Sequence, residues 1–97
     1  MEIIRGTTPT VIIELEDDVK FRNLGKVVLR IKQGTIIIDK EPYEIIENEG
    51  KFKYTEEDTL KLDEGKAWIQ LVGKTKNVEK TEVYEITILK SLWNEVV

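Results

Sequence analysis

The side chains that most often perform acid–base and covalent chemistry are missing from this chain. Among its 97 residues there is no histidine and no cysteine. Imidazole bases, thiol nucleophiles, disulfide staples and the usual zinc ligands are excluded together. The lone serine, Ser91, has no histidine to activate it. Neither G-x-G-x-x-G nor G-x-x-x-x-G-K occurs, so no glycine-rich loop is available to cradle a phosphate. What remains is carboxylate chemistry, from 19 Asp and Glu side chains. The tempting runs, Asp17-Asp18 and Glu56-Glu57-Asp58, fall in loop-like segments, where solvated acids keep ordinary ionisation and serve as caps or turn formers. Neither has the D-x-D-x-D-G spacing of a calcium loop. The residues predict no enzyme, no metal and no cofactor.

Recognition chemistry is better represented. In Lys66-Ala67-Trp68-Ile69-Gln70-Leu71, the apolar residues Ala67, Ile69 and Leu71 share one parity and Trp68 shares the other with Lys66 and Gln70. A large aromatic on a polar strand face is either packed under a neighbouring loop or a contact residue. Leu92-Trp93, after the last long alternating segment, forms an apolar end that either folds back on its own domain or meets a second chain. Trp68, Leu92 and Trp93 are thus the candidate interface residues. Phe52, Tyr54 and Tyr84 have the parity of core residues, Tyr84 as a buried ring with a satisfied hydroxyl.

The elements that would hold these side chains are strands. Period-two alternation places Val11, Ile13 and Leu15 opposite Glu14 and Glu16. It places Val27, Leu29 and Ile31 opposite Lys26, Arg30 and Lys32, and Tyr84, Ile86 and Ile88 opposite Glu85 and Thr87. Helices over these segments would mix charges into the apolar face, and the β-branched content also favours strands. Shorter strands are expected at Thr35–Asp39, Tyr43–Glu47 and Lys51–Tyr54, with Ile36-Ile37-Ile38 covered on both sides. Gln33-Gly34 marks one hairpin turn, and Asn48-Glu49-Gly50 offers a glycine for a positive-φ position. Thr55-Glu56-Glu57-Asp58 has capping-box spacing and predicts one helical turn, with Leu60 or Leu62 entering the core behind it. In the Asp17–Gly25 loop, Phe21 or Leu24 plugs one end of the core. Lys26, Lys32, Lys51 and Lys53 bracket the runs as guards for open strand edges.

About seven short strands, punctuated by turns and one longer crossover, predict an all-β fold: an antiparallel immunoglobulin-like Greek-key sandwich of residues 1–97, with a small β-barrel as the alternative. Hydrophobic residues at 40% and charged residues at 35% suit a single globular domain. The net charge of -4 is evenly spread, with seven cations against ten acids in residues 1–50 and eight against nine in residues 51–97. This pattern predicts no nucleic-acid stripe. The nearest thing to a basic cluster, Lys74, Lys76 and Lys80, is interrupted by Glu79 and reads as a loop tip. No apolar run approaches the ~20 residues of a membrane helix. Met1-Glu2-Ile3-Ile4-Arg5 lacks the basic and apolar regions of a signal peptide. Synthesis and folding in the cytoplasm are expected.

Several segments carry a family resemblance. Arg5-Gly6-Thr7-Thr8-Pro9-Thr10 leads directly into Val11–Glu16, Ile31-Lys32-Gln33-Gly34 closes the second strand, Thr55–Leu60 forms the turn, and Gly65 precedes Ala67-Trp68-Ile69-Gln70-Leu71. Together they resemble small prophage-encoded proteins of Gram-positive bacteria and the N-terminal domain family of phage baseplate upper proteins. The resemblance implies an immunoglobulin-like structural or docking module of a phage tail or baseplate, assembled into the virion in several copies. Its implied partners are other phage structural proteins and the chain itself, and it implies no catalytic residue. A baseplate upper protein continues beyond this domain, so a chain ending at Val97 is expected to act as an accessory or connector. A carbohydrate- or cell-surface-binding module, stacking Trp68 or Trp93 on a sugar, is the alternative.

Overall fold

Period-two alternation turns into strands that each present one apolar face to a shared interior. The computed structural model describes residues 1–15, 21, 25–74, 78–80 and 83–90. Among them the strands are β1 (Glu2–Ile4), β2 (Thr10–Glu14), β3 (Lys26–Gln33), β4 (Ile36–Lys40), β5 (Glu44–Ile46), β6 (Glu49–Lys53), β7 (Gly65–Lys74), β8 (Val78–Lys80) and β9 (Tyr84–Leu89). A single helix, α1 (Glu56–Leu60), lies between β6 and β7. The larger sheet runs β1-β9-β7-β3-β4, with β8 also on β7, and the smaller runs β2-β6-β5. The chain changes sheet at β1–β2, β2–β3, β4–β5 and β6–β7, which is the Greek-key sandwich of an immunoglobulin-like fold. The order of sheets and crossings is incompatible with a closed barrel.

Most of the core takes one parity from each strand, but Val28 on β3 and Val72 on β7, paired on the opposite parity, are buried as well. Val11, Val27, Leu29, Ile31, Ala67, Ile69, Leu71, Ile86 and Ile88 are buried, and Phe52, Tyr54 and Leu62 are completely enclosed. Each large side chain so buried contributes about 1.5–3 kcal/mol relative to exposure. The buried Tyr54 hydroxyl donates to the Leu29 carbonyl at 2.8 Å, tying β6 to β3 across the sandwich. Phe21 closes one end, 1% exposed, with its ring 6.3 Å from that of Phe52. Of the two leucines after the helical turn, Leu62 enters the core and Leu60 stays at the surface.

The capping box forms as its spacing predicts. The Thr55 hydroxyl accepts from the Asp58 N–H at 3.2 Å, and the Asp58 carboxylate accepts from the Thr55 N–H at 2.8 Å. Arg5 donates to the carbonyls of Leu60 and Leu62, placing a cation at the negative end of the helix. The buried Thr59 hydroxyl accepts from the Gly6 N–H and donates to the Thr7 carbonyl, fastening the turn after β1. On the far side, the Gln33 amide donates to the Asp63 and Lys66 carbonyls and accepts from the Asp63 N–H.

Several local expectations are overturned. The sandwich is not wholly antiparallel, because β1 joins β9 in parallel. β1 carries only one inward side chain, Ile3, too short a pattern to read as alternation. Ile37 is 51% exposed while Ile38 is buried: β4 is an edge strand with only its inner face covered. Tyr84 holds an inward register position opposite Ile69 but is 59% exposed, because it lines an open hollow beside β2, the edge strand of the smaller sheet. The positive φ of the β5–β6 turn, 52°, falls on Glu47. Gly50 instead lies within β6, where Phe21 packs against it. The bracketing lysines sit on β3 and β6, which are interior strands, so they guard no edge.

Candidate functional site

The outer face of the larger sheet gathers the surface residues most suited to recognition. β7 is a long interior strand whose inward residues, Ala67, Ile69 and Leu71, are locked in the core. That burial fixes its opposite parity, so Trp68 and Gln70 must point outward. Trp68 is 43% exposed, with Val83 of the segment before β9 lining the same hollow. The register places it between Glu85 of β9 and Lys32 of β3, with Ile37 of β4 next to Lys32. One row along, Gln70 faces Arg30, which faces Asp39.

The electrostatics of this face are unevenly satisfied. Arg30 grips Asp39 in a fork, with Nε–Oδ1 at 2.8 Å and Nη2–Oδ2 at 2.9 Å. That hydrogen bond raises the guanidinium pKa above its ordinary value, against the opposing effect of burial. Lys66 reaches Glu85 only loosely, at 3.7 Å. Lys32 has no ion pair among the described residues. Trp68, Gln70, Arg30, Lys32 and Val83 line a shallow hollow of about 170 Å³.

The acids do not assemble into a reactive centre among the described residues. Asp58 is 7% exposed, and its carboxylate is occupied by the Thr55 N–H and by Lys40 at 2.7 Å. Burial pushes its pKa up, but the bonds from Lys40 and Thr55 outweigh this and hold it below the usual value. Glu56 and Glu57 are exposed in the first turn of α1, where negative charge suits the helix end. No group of three or more metal-ligating side chains occurs among the described residues. Asp17, Asp18, Leu24, Lys76, Leu92 and Trp93 lie outside the described residues, so of the candidate interface residues only Trp68 is placed. Reading the sequence missed Ile37 and Val83, both more than half exposed near Trp68. The odd parity of Ile37 within the Ile36–Ile38 run was the available signal for the first.

A second apolar hollow, of about 250 Å³, opens at the free edge of β2, between Ile13, Leu15, Ile69 and Tyr84. Among the described residues no helix is long and apolar enough to cross a membrane.

No protein-family model matches the chain, and no curated protein matches it. Among solved structures it is similar to the immunoglobulin-like domain of mouse leukocyte-associated immunoglobulin-like receptor 1, described as a strand-swapped dimer. The identity is 18%, the match covers 93% of this chain and 88% of that one, and the TM-score is 0.49. The immunoglobulin-like assignment of this chain stands on its own strand order and crossings.

Proposed function

We propose that this chain is a non-enzymatic docking module that works by protein–protein contact, as a structural component of a phage tail or baseplate. The phage setting comes from the resemblance of its short motifs; the contact role is supported by the outer face of the larger sheet. One observation carries it: Trp68 stands 43% exposed on a rigid interior strand, held outward by the buried residues on either side of it. Tryptophan is enriched among residues that dominate binding energy, and a rigid strand presents it with little loss of freedom on binding. In this reading the chain is made in the bacterial cytoplasm and assembled into the virion. Cross-linking in lysates containing assembled tails tests it. The expected result is recovery of tail or baseplate proteins by the native chain and at least a tenfold loss with Trp68→Ala, the size typical of a residue worth about 1.4 kcal/mol or more. Recovery of no virion protein, or equal recovery by the variant, refutes it.

A second reading is favoured by the hollow beside Trp68. An indole next to the Gln70 amide and the Arg30 and Lys32 cations offers a stacking surface with polar neighbours, suited to a pyranose ring. A glycan screen separates the two: binding lost in Trp68→Ala supports the sugar reading, and an empty screen removes it.

A further inference from the structure

Strand β2 leaves one row of backbone groups without partners. The Leu15 N–H donates to the Asn48 carbonyl at 2.7 Å and the Tyr54 N–H to the Pro9 carbonyl at 3.1 Å. Between these bonds the register sets Val11 opposite Phe52 and Ile13 opposite Gly50. Antiparallel ladders alternate, so Val11, Ile13 and Leu15 turn their N–H and C=O groups toward β6, while Thr10, Ile12 and Glu14 turn theirs away from it. β2 pairs with β6 alone, and those three residues make no other backbone hydrogen bond among the described residues. Thr10–Glu14 carries no lysine and no proline to blunt this edge.

The space beside the edge is that of a missing strand. Tyr84 and Ile13 both have the parity of the core, yet Tyr84 is 59% exposed and Ile13 only partly buried. The hollow of about 250 Å³ between them adjoins a second, of about 270 Å³, that reaches Met1, Ile12 and Glu85. On the outer face, Glu14 stands directly opposite Glu49 of β6, and neither carboxylate has an ion pair among the described residues. Like charges directly opposite are destabilising, and a cation on a strand laid against Glu14 would offset them.

We infer that the free edge of β2 takes up an extended segment of another protein as an added antiparallel strand, its alternate apolar side chains over the hollow and a lysine or arginine facing Glu14. Each feature of the edge selects part of this occupant. In antiparallel addition Thr10, Ile12 and Glu14 each exchange both bonds with the residue opposite, which satisfies all six free backbone groups. The hollow selects apolar side chains at every second position, and Glu14 with Glu49 selects the cation. A second copy is disfavoured: Met1 and β9 reach beneath the edge, so a sandwich joined through β2 would press its own β9 against them. The site belongs to the smaller sheet, whereas Trp68 belongs to the larger, so this surface is additional to the one proposed above.

A synthetic heptapeptide tests this, with valine at its odd positions, lysine second, and threonine fourth and sixth. It is titrated into the full chain while amide exchange is followed residue by residue by NMR. In the dilute free chain the N–H groups of Thr10, Ile12 and Glu14 should exchange fast and those of Val11, Ile13 and Leu15 slowly. Saturating peptide should slow the first set by about tenfold or more, with a Kd of roughly 10 µM to 1 mM. N-methylation of the lysine and threonines, whose amides face β2, should abolish binding, and methylation of the two central valines should preserve it. Glu14→Lys should weaken binding by about fivefold and prefer the peptide with glutamate in place of lysine. Ile12→Pro removes only an outward N–H, so it should fold and fail to bind. Trp68→Ala should bind as the native chain does. No binding at millimolar peptide, equal binding by both methylated forms, or loss of binding in Trp68→Ala overturns the inference. So do edge amides already as slow as their neighbours in the dilute chain, because the edge is then covered without a partner. A peptide that binds as expected to a chain recovering no virion protein would sink the phage reading and leave this site standing.

Discussion

Replacing Gly50 by alanine tests whether Phe21 closes the core by direct contact with the β6 backbone. A Cβ built at this position would lie 2.8, 3.0 and 3.2 Å from the Cζ, Cε1 and Cε2 atoms of the Phe21 ring. The first distance is shorter than real carbon contacts, so the ring must move. It has little freedom to do so: it is 1% exposed and packs on Phe52. Forcing a methyl into a packed core costs about 1–3 kcal/mol. Restricting the unfolded chain returns about 0.4–1 kcal/mol. The net loss is then roughly 1–2 kcal/mol. For a domain of this size each 1 kcal/mol lowers the melting midpoint by roughly 4–8 °C, so Gly50→Ala should melt roughly 5–15 °C lower. Thermal and urea unfolding followed by far-ultraviolet circular dichroism measure this. Shortening the ring with Phe21→Leu should be less harmful in the Gly50→Ala background than in the native chain, because the clash goes with it. A coupling of about 1 kcal/mol between the two sites is expected for residues in contact. Gly50→Ala melting at or above the native midpoint, or strict additivity in the double variant, refutes the contact.

Three further outcomes follow from other parts of the fold. Asp58→Asn removes the acid that Lys40 and Thr55 hold below its ordinary value of 3.8. A lowered folded-state pKa means the native advantage is full above the unfolded value and drains away as pH falls through the folded one. The stability gap between the native chain and Asp58→Asn should therefore be widest near neutrality and close as the pH drops below 3.8, as read from urea midpoints across pH. Tyr54→Phe leaves the ring in place but removes the hydroxyl donated to Leu29, and should cost about 0.5–1.5 kcal/mol in the same assay. Gly34→Ala puts a side chain at φ 58° in the β3–β4 turn with no neighbour to meet, so backbone strain of about 1–2 kcal/mol should appear without any change in core packing, visible as a lower midpoint at constant m-value.

Much of the architecture was legible because its signals are local. A strand's inward parity is written in consecutive residues: Val27, Leu29 and Ile31 on β3, and Ala67, Ile69 and Leu71 on β7, all face the core as their alternation demands. The capping box needs only the spacing of Thr55 and Asp58, and the Gln33-Gly34 turn only its glycine. That Phe21 or Leu24 plugs the core was legible, because a large apolar residue in a polar loop needs cover; that Phe21 is buried there was not. Non-local facts escaped. Which strand lies beside which is not written in either one, so from sequence the lysines of β3 and β6 look like edge guards although both strands are interior. Tyr84 obeys its parity and is still exposed, because coverage depends on how far the other sheet extends. Gly50 serves close approach by a ring distant in sequence, not a turn.

The candidate site illustrates the same division. Parity alone puts Trp68 on the outer face, and that much needs no structure. Its neighbours come from register: Lys32 arrives from β3 and Glu85 from β9, brought level by ladders on both sides of β7. A shift of either ladder by one residue would turn its whole strand over, sending Val27, Leu29 and Ile31 or Ile86 and Ile88 out of the core. The hydrophobic core therefore sets the register, and the register sets the charge row. An exposed recognition surface on this sheet is held in place by the residues it never touches, which is why loss of the Phe21 plug or the Tyr54 tie would be felt first in stability, whereas Trp68→Ala, a change at a half-exposed position, should leave unfolding within about 0.5 kcal/mol of the native chain while removing the contact.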